Sequence, residues 1–131
     1  MQARLDHVKS LEIRPLSEEQ TERFAQDWRS TQAKFVDEPV VAIQEADHLI
    51  KSVMSAKGYP VEDFDQRAAD ISVDYPDLVV HYRGMRDIAK RSEHEDVSTE
   101  EMRQAMVHSR ALFEELLGAE VIEYKTQKEK M

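Results

Sequence analysis

The chain contains no cysteine, which removes disulfides, thiolate zinc sites and cysteine nucleophiles from consideration. It does not by itself fix a redox compartment, because a helical protein without cysteine is stable in either. Glycine is nearly as scarce: Gly58, Gly84 and Gly118 are the only three. They are too far apart to build a phosphate-cradling loop or the Gly-x-Ser-x-Gly elbow of a serine hydrolase. Four prolines and three glycines also leave too little turn punctuation for an all-β fold. No stretch approaches the roughly 18 consecutive apolar residues of a membrane span. The start, Met1-Gln2-Ala3-Arg4-Leu5-Asp6, lacks the apolar core of a secretory signal. A soluble, cytoplasmic protein is therefore expected.

Positive charge is short as well. The net charge is −9, and residues 17–118 hold 12 Lys/Arg against 22 Asp/Glu, a balance of −10. Nucleic-acid binders need clustered Lys and Arg to neutralise phosphates, and this stretch repels them. Anionic membranes are disfavoured for the same reason. A basic protein surface would be attracted, although acidity also serves simply to keep a protein in solution.

What is present is helix-forming: Ala, Glu, Gln, Leu, Met, Lys and Arg dominate. The length of 131 residues suits one domain. Residues 1–16 alternate weakly and include Pro15, and read as an extended arm held to the body by Leu11, Ile13 and Leu16. Ser17-Glu18-Glu19-Gln20 is a capping box that opens the first helix, whose stripe is Phe24, Trp28, Thr31 and Phe35. Asp37-Glu38-Pro39 starts the second, with Asp37 as its cap and Ile43, Ala46, Ile50 and Val53 on its apolar face. Gly58-Tyr59-Pro60 stops it.

A short third helix carries Val61, Phe64, Ala68 and Ile71 and ends before Pro76. The fourth presents Leu78, Tyr82, Met85 and Ala89, with Lys90 and Arg91 in its last turn and a loop at Ser92–Val97. A second capping box, Ser98-Thr99-Glu100-Glu101, begins the fifth, striped by Met102, Ala105, Ser109, Leu112 and Leu116 and stopped by Gly118. Residues 119–131 read as a polar tail. Five amphipathic helices with short connections predict an all-α, single-domain antiparallel bundle over residues 17–118.

Five histidines, at positions 7, 48, 81, 94 and 108, are scattered over the chain. No pair has the His-x3-His spacing of a helical zinc site. Glu45-x-x-His48 is half of a ferritin-like di-iron motif, but that chemistry needs a second copy and two further glutamates. No metal or other cofactor is therefore indicated. His81 and His108 adjoin core stripes and meet if the fourth and fifth helices pack together.

Arg67, Asp70 and Asp74 share one face of the third helix, followed by Tyr82 and Arg83 on the fourth. Two arrangements satisfy this set. Arg67 and Arg83 can clamp the carboxylates in a polar network that pins the two helices. Alternatively, the group lines a small-molecule pocket or a general acid–base site. Val40, Val79, Val107, Val121, Ile122 and Tyr124 lie off the apolar stripes and are candidates for an interface.

Two longer patterns carry a family resemblance. They are Trp28-x3-Gln32-x2-Phe35-Val36-Asp37-x-Pro39 and Gly58-Tyr59-Pro60-x2-Asp63-Phe64-x-Gln66-Arg67-Ala68-Ala69-Asp70-x-Ser72-Val73-Asp74-x-Pro76. The chain resembles a family of small bacterial helical proteins for which no activity is known, with a looser likeness through Tyr82-Arg83 and the Ser98–Leu117 helix. That resemblance implies a bacterial or phage origin and names no substrate, cofactor or catalytic residue. The residues favour a non-enzymatic module that binds a protein partner or itself, in the latter case as a two-fold dimer. A ligand-binding or enzymatic domain built on the Arg67/Asp70/Asp74/Tyr82/Arg83 group is the rival.

Overall fold

The most apolar of the helices organises the fold. In a computed structural model, which describes residues 13–118, the second helix (α2, Pro39–Lys57) buries Ala42, Ile43, Ala46, Leu49, Ile50, Val53 and Met54. Those positions recur every three or four residues but span a wide arc, because α2 touches three neighbours. It packs against α1 (Glu18–Phe35), α4 (Pro76–His94) and α5 (Thr99–Leu117). The short α3 (Phe64–Asp74) lies against α4. The protein is thus an all-α bundle of five helices, with no strand among the described residues. Residues 36–38 join α1 to α2 and residues 95–98 join α4 to α5. Connections this short turn each packed pair into an antiparallel hairpin.

Both capping boxes form. The Ser17 hydroxyl accepts from the Gln20 amide at 3.1 Å while the Gln20 side chain accepts from the Ser17 amide. Ser98 and Glu101 repeat the exchange at the head of α5. Each box satisfies two amides that a helix start would otherwise leave bare. Replacing Ser98 by Ala is expected to cost about 1 kcal/mol, read as a lower urea midpoint at unchanged slope. An unchanged midpoint would mean that the Ser98 hydroxyl contributes nothing beyond what water supplies.

Helix ends differ from expectation in three places. Pro39 takes the first position of α2, so the residue before it, Glu38, stands at the cap and makes no side-chain cap bond; Asp37 does not serve. α3 begins at Phe64 rather than near Val61, because residues 60–63 turn, with the Val61 amide donating to the Tyr59 carbonyl. α4 runs on to His94, through what reads as loop, because Ser92 is tied down within it. The Ser92 hydroxyl donates to the Ala89 carbonyl and accepts from the Gln44 amide of α2 at 2.8 Å. Gly58 ends α2 as expected, in left-handed backbone (φ 94°) that a side chain would oppose.

Around this frame the core is continuous. Trp28 lies against Phe113 with ring centroids 4.6 Å apart, Phe64 against Tyr82 at 4.3 Å, and Tyr59 edge-on to Tyr75 at 5.6 Å. Ile13 and Leu16 pack onto the core from the arm, and the Arg14 amide donates to the Lys57 carbonyl. Leu11 lies outside the described residues. The last turn of α5 carries no basic residue of its own. Lys57 of α2 fills that role, donating to the Leu116 carbonyl at 2.8 Å. Burial holds its ammonium below the usual lysine value. Among the described residues no helix is long and apolar enough to cross a membrane.

Candidate functional site

The turn between α1 and α2 leaves apolar side chains in water. Val36 is 82% exposed, Val40 44% and Val41 43%. Pro39 starts α2 directly after the short link, which has no room to fold Val36 inward. Val40 and Val41 also line an open groove of about 580 Å³ between α1 and α2. Its polar rim includes Asp27, Lys34, Glu45 and His48. Lys34 and Glu45 bridge the groove at 2.5 Å, and the pair holds the lysine above its ordinary value.

A second, smaller groove of about 270 Å³ lies between α1 and α5. Phe35, Met106 and Val107 form its apolar floor, and Gln32, Arg103 and Arg110 edge it. Val107 is 52% exposed. The two grooves lie on either side of α1. Arg103 and Arg110 are each paired along α5, with Glu100 and Glu114.

Of the expected interface residues, Val40 lines the first groove and Val107 the second. Val79 does not: it is buried in the core. The correction has a simple cause, since α4 packs against α2, α3 and α5 and hides more than a single stripe. Val121, Ile122 and Tyr124 lie outside the described residues.

The members of the Arg67 group stand in different surroundings. Arg67 reaches Asp63, one turn back, at 3.7 Å, an exposed helical pair of small energetic weight. Asp70 is half-buried and also takes part in an interaction. Asp74 and Arg83 are exposed. Tyr82 is buried against Phe64, and burial pushes its phenol up to about 12, so it stays neutral. Buried in that way, the phenol is not offered to a ligand. Arg83 points to solvent because it follows Tyr82 by one residue and so stands on another face of α4. None of the five lines either groove.

The polar bridges that do join helices are others. Asp47 of α2 accepts from Arg86 of α4 at 3.2 Å, and Lys51 adds a second, more exposed contact to the same carboxylate at 3.4 Å. Gln44 donates to the Ala89 carbonyl at 2.9 Å and to Ser92. A signal for the first bridge was present. Asp47 stands four after Ile43 and three before Ile50, and Arg86 four after Tyr82 and three before Ala89. Opposite charges at stripe spacing on two helices are candidates for a shared seam.

Among the described residues no three His, Asp or Glu side chains gather to hold a metal ion. Glu45 of the Glu-x-x-His pair is engaged by Lys34, and His48 is exposed at the groove rim. His81 and His108 do meet, across the α4–α5 contact.

The chain matches no protein-family model, no curated protein and no solved structure. The structure gives the two residue patterns of the sequence physical roles. Gly58 takes the left-handed turn, Tyr59, Phe64 and Ala68 are buried, and Pro76 opens α4. In the other pattern Trp28 is core and Pro39 starts α2. These positions serve the fold, while others of the patterns, such as Gln32, Asp37, Gln66 and Asp74, are exposed.

Proposed function

We propose that this domain is a non-enzymatic interaction module that docks a protein partner, or a second copy of itself, on the apolar end of the α1–α2 hairpin. One observation supports the reading: Val36, Val40 and Val41 stay exposed close together at the α1–α2 turn, and Phe35, Met106 and Val107 line a groove on the α5 side of α1. Scattered surface valines are ordinary, but clustered apolar side chains edged by charge are what a contact face needs. The net charge of −9 favours a partner with a basic rim and repels nucleic acid. The resemblance of the two motifs to a bacterial family, and the expectation of a cytoplasmic protein, belong to the same reading.

Sedimentation velocity from micromolar to millimolar concentration, on the parent protein and on Val40→Asp and Val107→Asp, tests it. Both changes are at exposed positions, so the circular-dichroism spectrum is expected to stay helical. Self-association, or affinity for a purified partner, is expected to fall about tenfold or more with each charge placed on the contact face. A strict monomer throughout removes the self-associating version. Partner binding left unchanged by both aspartates removes the docking face itself.

A further inference from the structure

The α4–α5 contact contains two imidazoles that face each other. The Nδ1 atoms of His81 and His108 are 3.0 Å apart, the ring centroids 5.2 Å, and the ring planes are inclined by 53°. The centroid distance is close to the nitrogen separation plus the two ring radii. Both Nδ1 atoms therefore lie nearly on the line through the ring centres, head to head. That line has room for one proton. A tetrahedral metal ion held by both nitrogens would set them about 3.3–3.4 Å apart, wider than the 3.0 Å here. His108 has no space to retreat toward α4: a methyl group added at Gly84 would stand 2.8 Å from its Nε2. The ring is wedged between Gly84 and His81.

We propose that His81 and His108 form a proton-counting clasp between α4 and α5, closed by one proton between the two Nδ1 atoms and opened when both nitrogens carry one. In the neutral pair one Nδ1–H donates and the other Nδ1 accepts through its lone pair. The first added proton goes to the Nε2 of the donor ring. That ring becomes an imidazolium, its Nδ1–H still donates, and the bond gains charge assistance. The second can go only to the accepting Nδ1. Two N–H groups and two positive charges then confront each other in a half-buried site, and the helices must part or the rings must turn out.

Of the charged groups near the pair, Glu115 on α5 interacts with His81, and Glu115 in turn feels Asp77 on α4 and Lys57 at the end of α2. Burial and then Asp77 hold Glu115 above the usual carboxylate value, while His81 and Lys57 pull it down. The contact between Glu115 and His81 does not relieve two facing N–H groups. Burial first, and His81 second, hold the His108 imidazole below its ordinary value. The unfolded chain therefore takes up this proton before the folded one does. Stability is intact above the ordinary imidazole value of about 6.5 and is lost as pH falls below it toward the folded value.

Nuclear magnetic resonance titration of the histidine ring protons in the full chain, between pH 8 and 4.5, tests the clasp. His81 and His108 are expected to titrate as a coupled pair, with a second step about one unit or more below 6.5. In His108→Asn and His81→Asn, where an amide replaces the ring nitrogen, the remaining histidine is expected to show one step. Between pH 7 and 5 the parent is expected to lose about 5 °C more in melting temperature than His108→Asn. Comparing the two cancels the exposed histidines and the easing of acidic self-repulsion that both share. Independent titration of both histidines near 6.5, or parallel melting curves, would overturn the clasp. So would a Zn²⁺-induced rise in melting temperature that His108→Asn abolishes, since a metal would then be the natural occupant. If a variant fails to fold, the parent titration alone decides.

Discussion

Trp28→Ala is expected to destabilise the domain by about 3–5 kcal/mol, the usual cost of deleting a large buried aromatic. Trp28 is 1% exposed, and its ring meets Phe113 at 4.6 Å. It is therefore the main apolar link between α1 and α5, which otherwise share only a light contact. The cavity left behind would face Phe113, itself fully buried, and two helices held from other sides by α2 can close it only in part. Domains of this size have a total stability of about 5–15 kcal/mol, so the loss is a large share of the whole. Trp28→Phe keeps a ring against Phe113 and is expected to cost clearly less. Urea unfolding followed by circular dichroism checks both, because the only tryptophan is removed in each variant and fluorescence is lost with it. A cost under about 1 kcal/mol for the alanine would show that the site collapses, and that α1 is held mainly by α2.

Trp28 also illustrates what can be read without a structure. A residue at stripe spacing, four after Phe24 and three before Thr31, was expected to face inward, and it does, with Thr31 buried beside it. Both capping boxes were legible for a related reason: the donors and acceptors that make them lie within four residues of one another. The meeting of His81 and His108 was legible as a condition, since both border stripes that come together only if α4 and α5 pack. Local patterns determine which face of a helix is apolar. They do not determine how many neighbours that helix has.

That second quantity decided the misses. Val79 lies off the stripe of an α4 with one neighbour and inside the buried arc of an α4 with three. The Arg67 group shared a face on paper, but α3 is short and lies at one side of the bundle. Its charged face meets water, and Arg67 finds Asp63 one turn away. Tyr82 was placed with the polar group although its own position belonged to the α4 stripe, and the aromatic ring followed the stripe. The exposed valines at the α1–α2 turn were only partly anticipated. Val40 stands off the apolar stripe in the sequence, whereas the exposure of Val36 follows from its place in the short link between α1 and α2.

The bridge between Asp47 and Arg86 carries the other large expected effect. Their side chains are 13% and 18% exposed, and the Arg86 guanidinium also stands 5.9 Å from the centre of the Tyr82 ring. Arg86 Nε is buried without a hydrogen-bond partner, so Asp47 compensates most of what this charge loses by leaving water. Removing that carboxylate strands the guanidinium between α2 and α4. Breaking a buried pair from one side costs about 3–5 kcal/mol, and the residual exposure here places Asp47→Ala at the lower end of that range. The contrast with the double change carries the argument. Asp47→Ala with Arg86→Met removes both charges and keeps an unbranched side chain over Tyr82, so it is expected to be more stable than Asp47→Ala alone. Lys51→Ala, which deletes only the more exposed contact to Asp47, is expected to stay within about 0.5 kcal/mol of the parent. Urea unfolding of the four proteins in the Asp47/Arg86 cycle gives the coupling directly. If the double variant is no better than Asp47→Ala, the loss came from packing around residue 47, and the charge pair is not what ties α2 to α4.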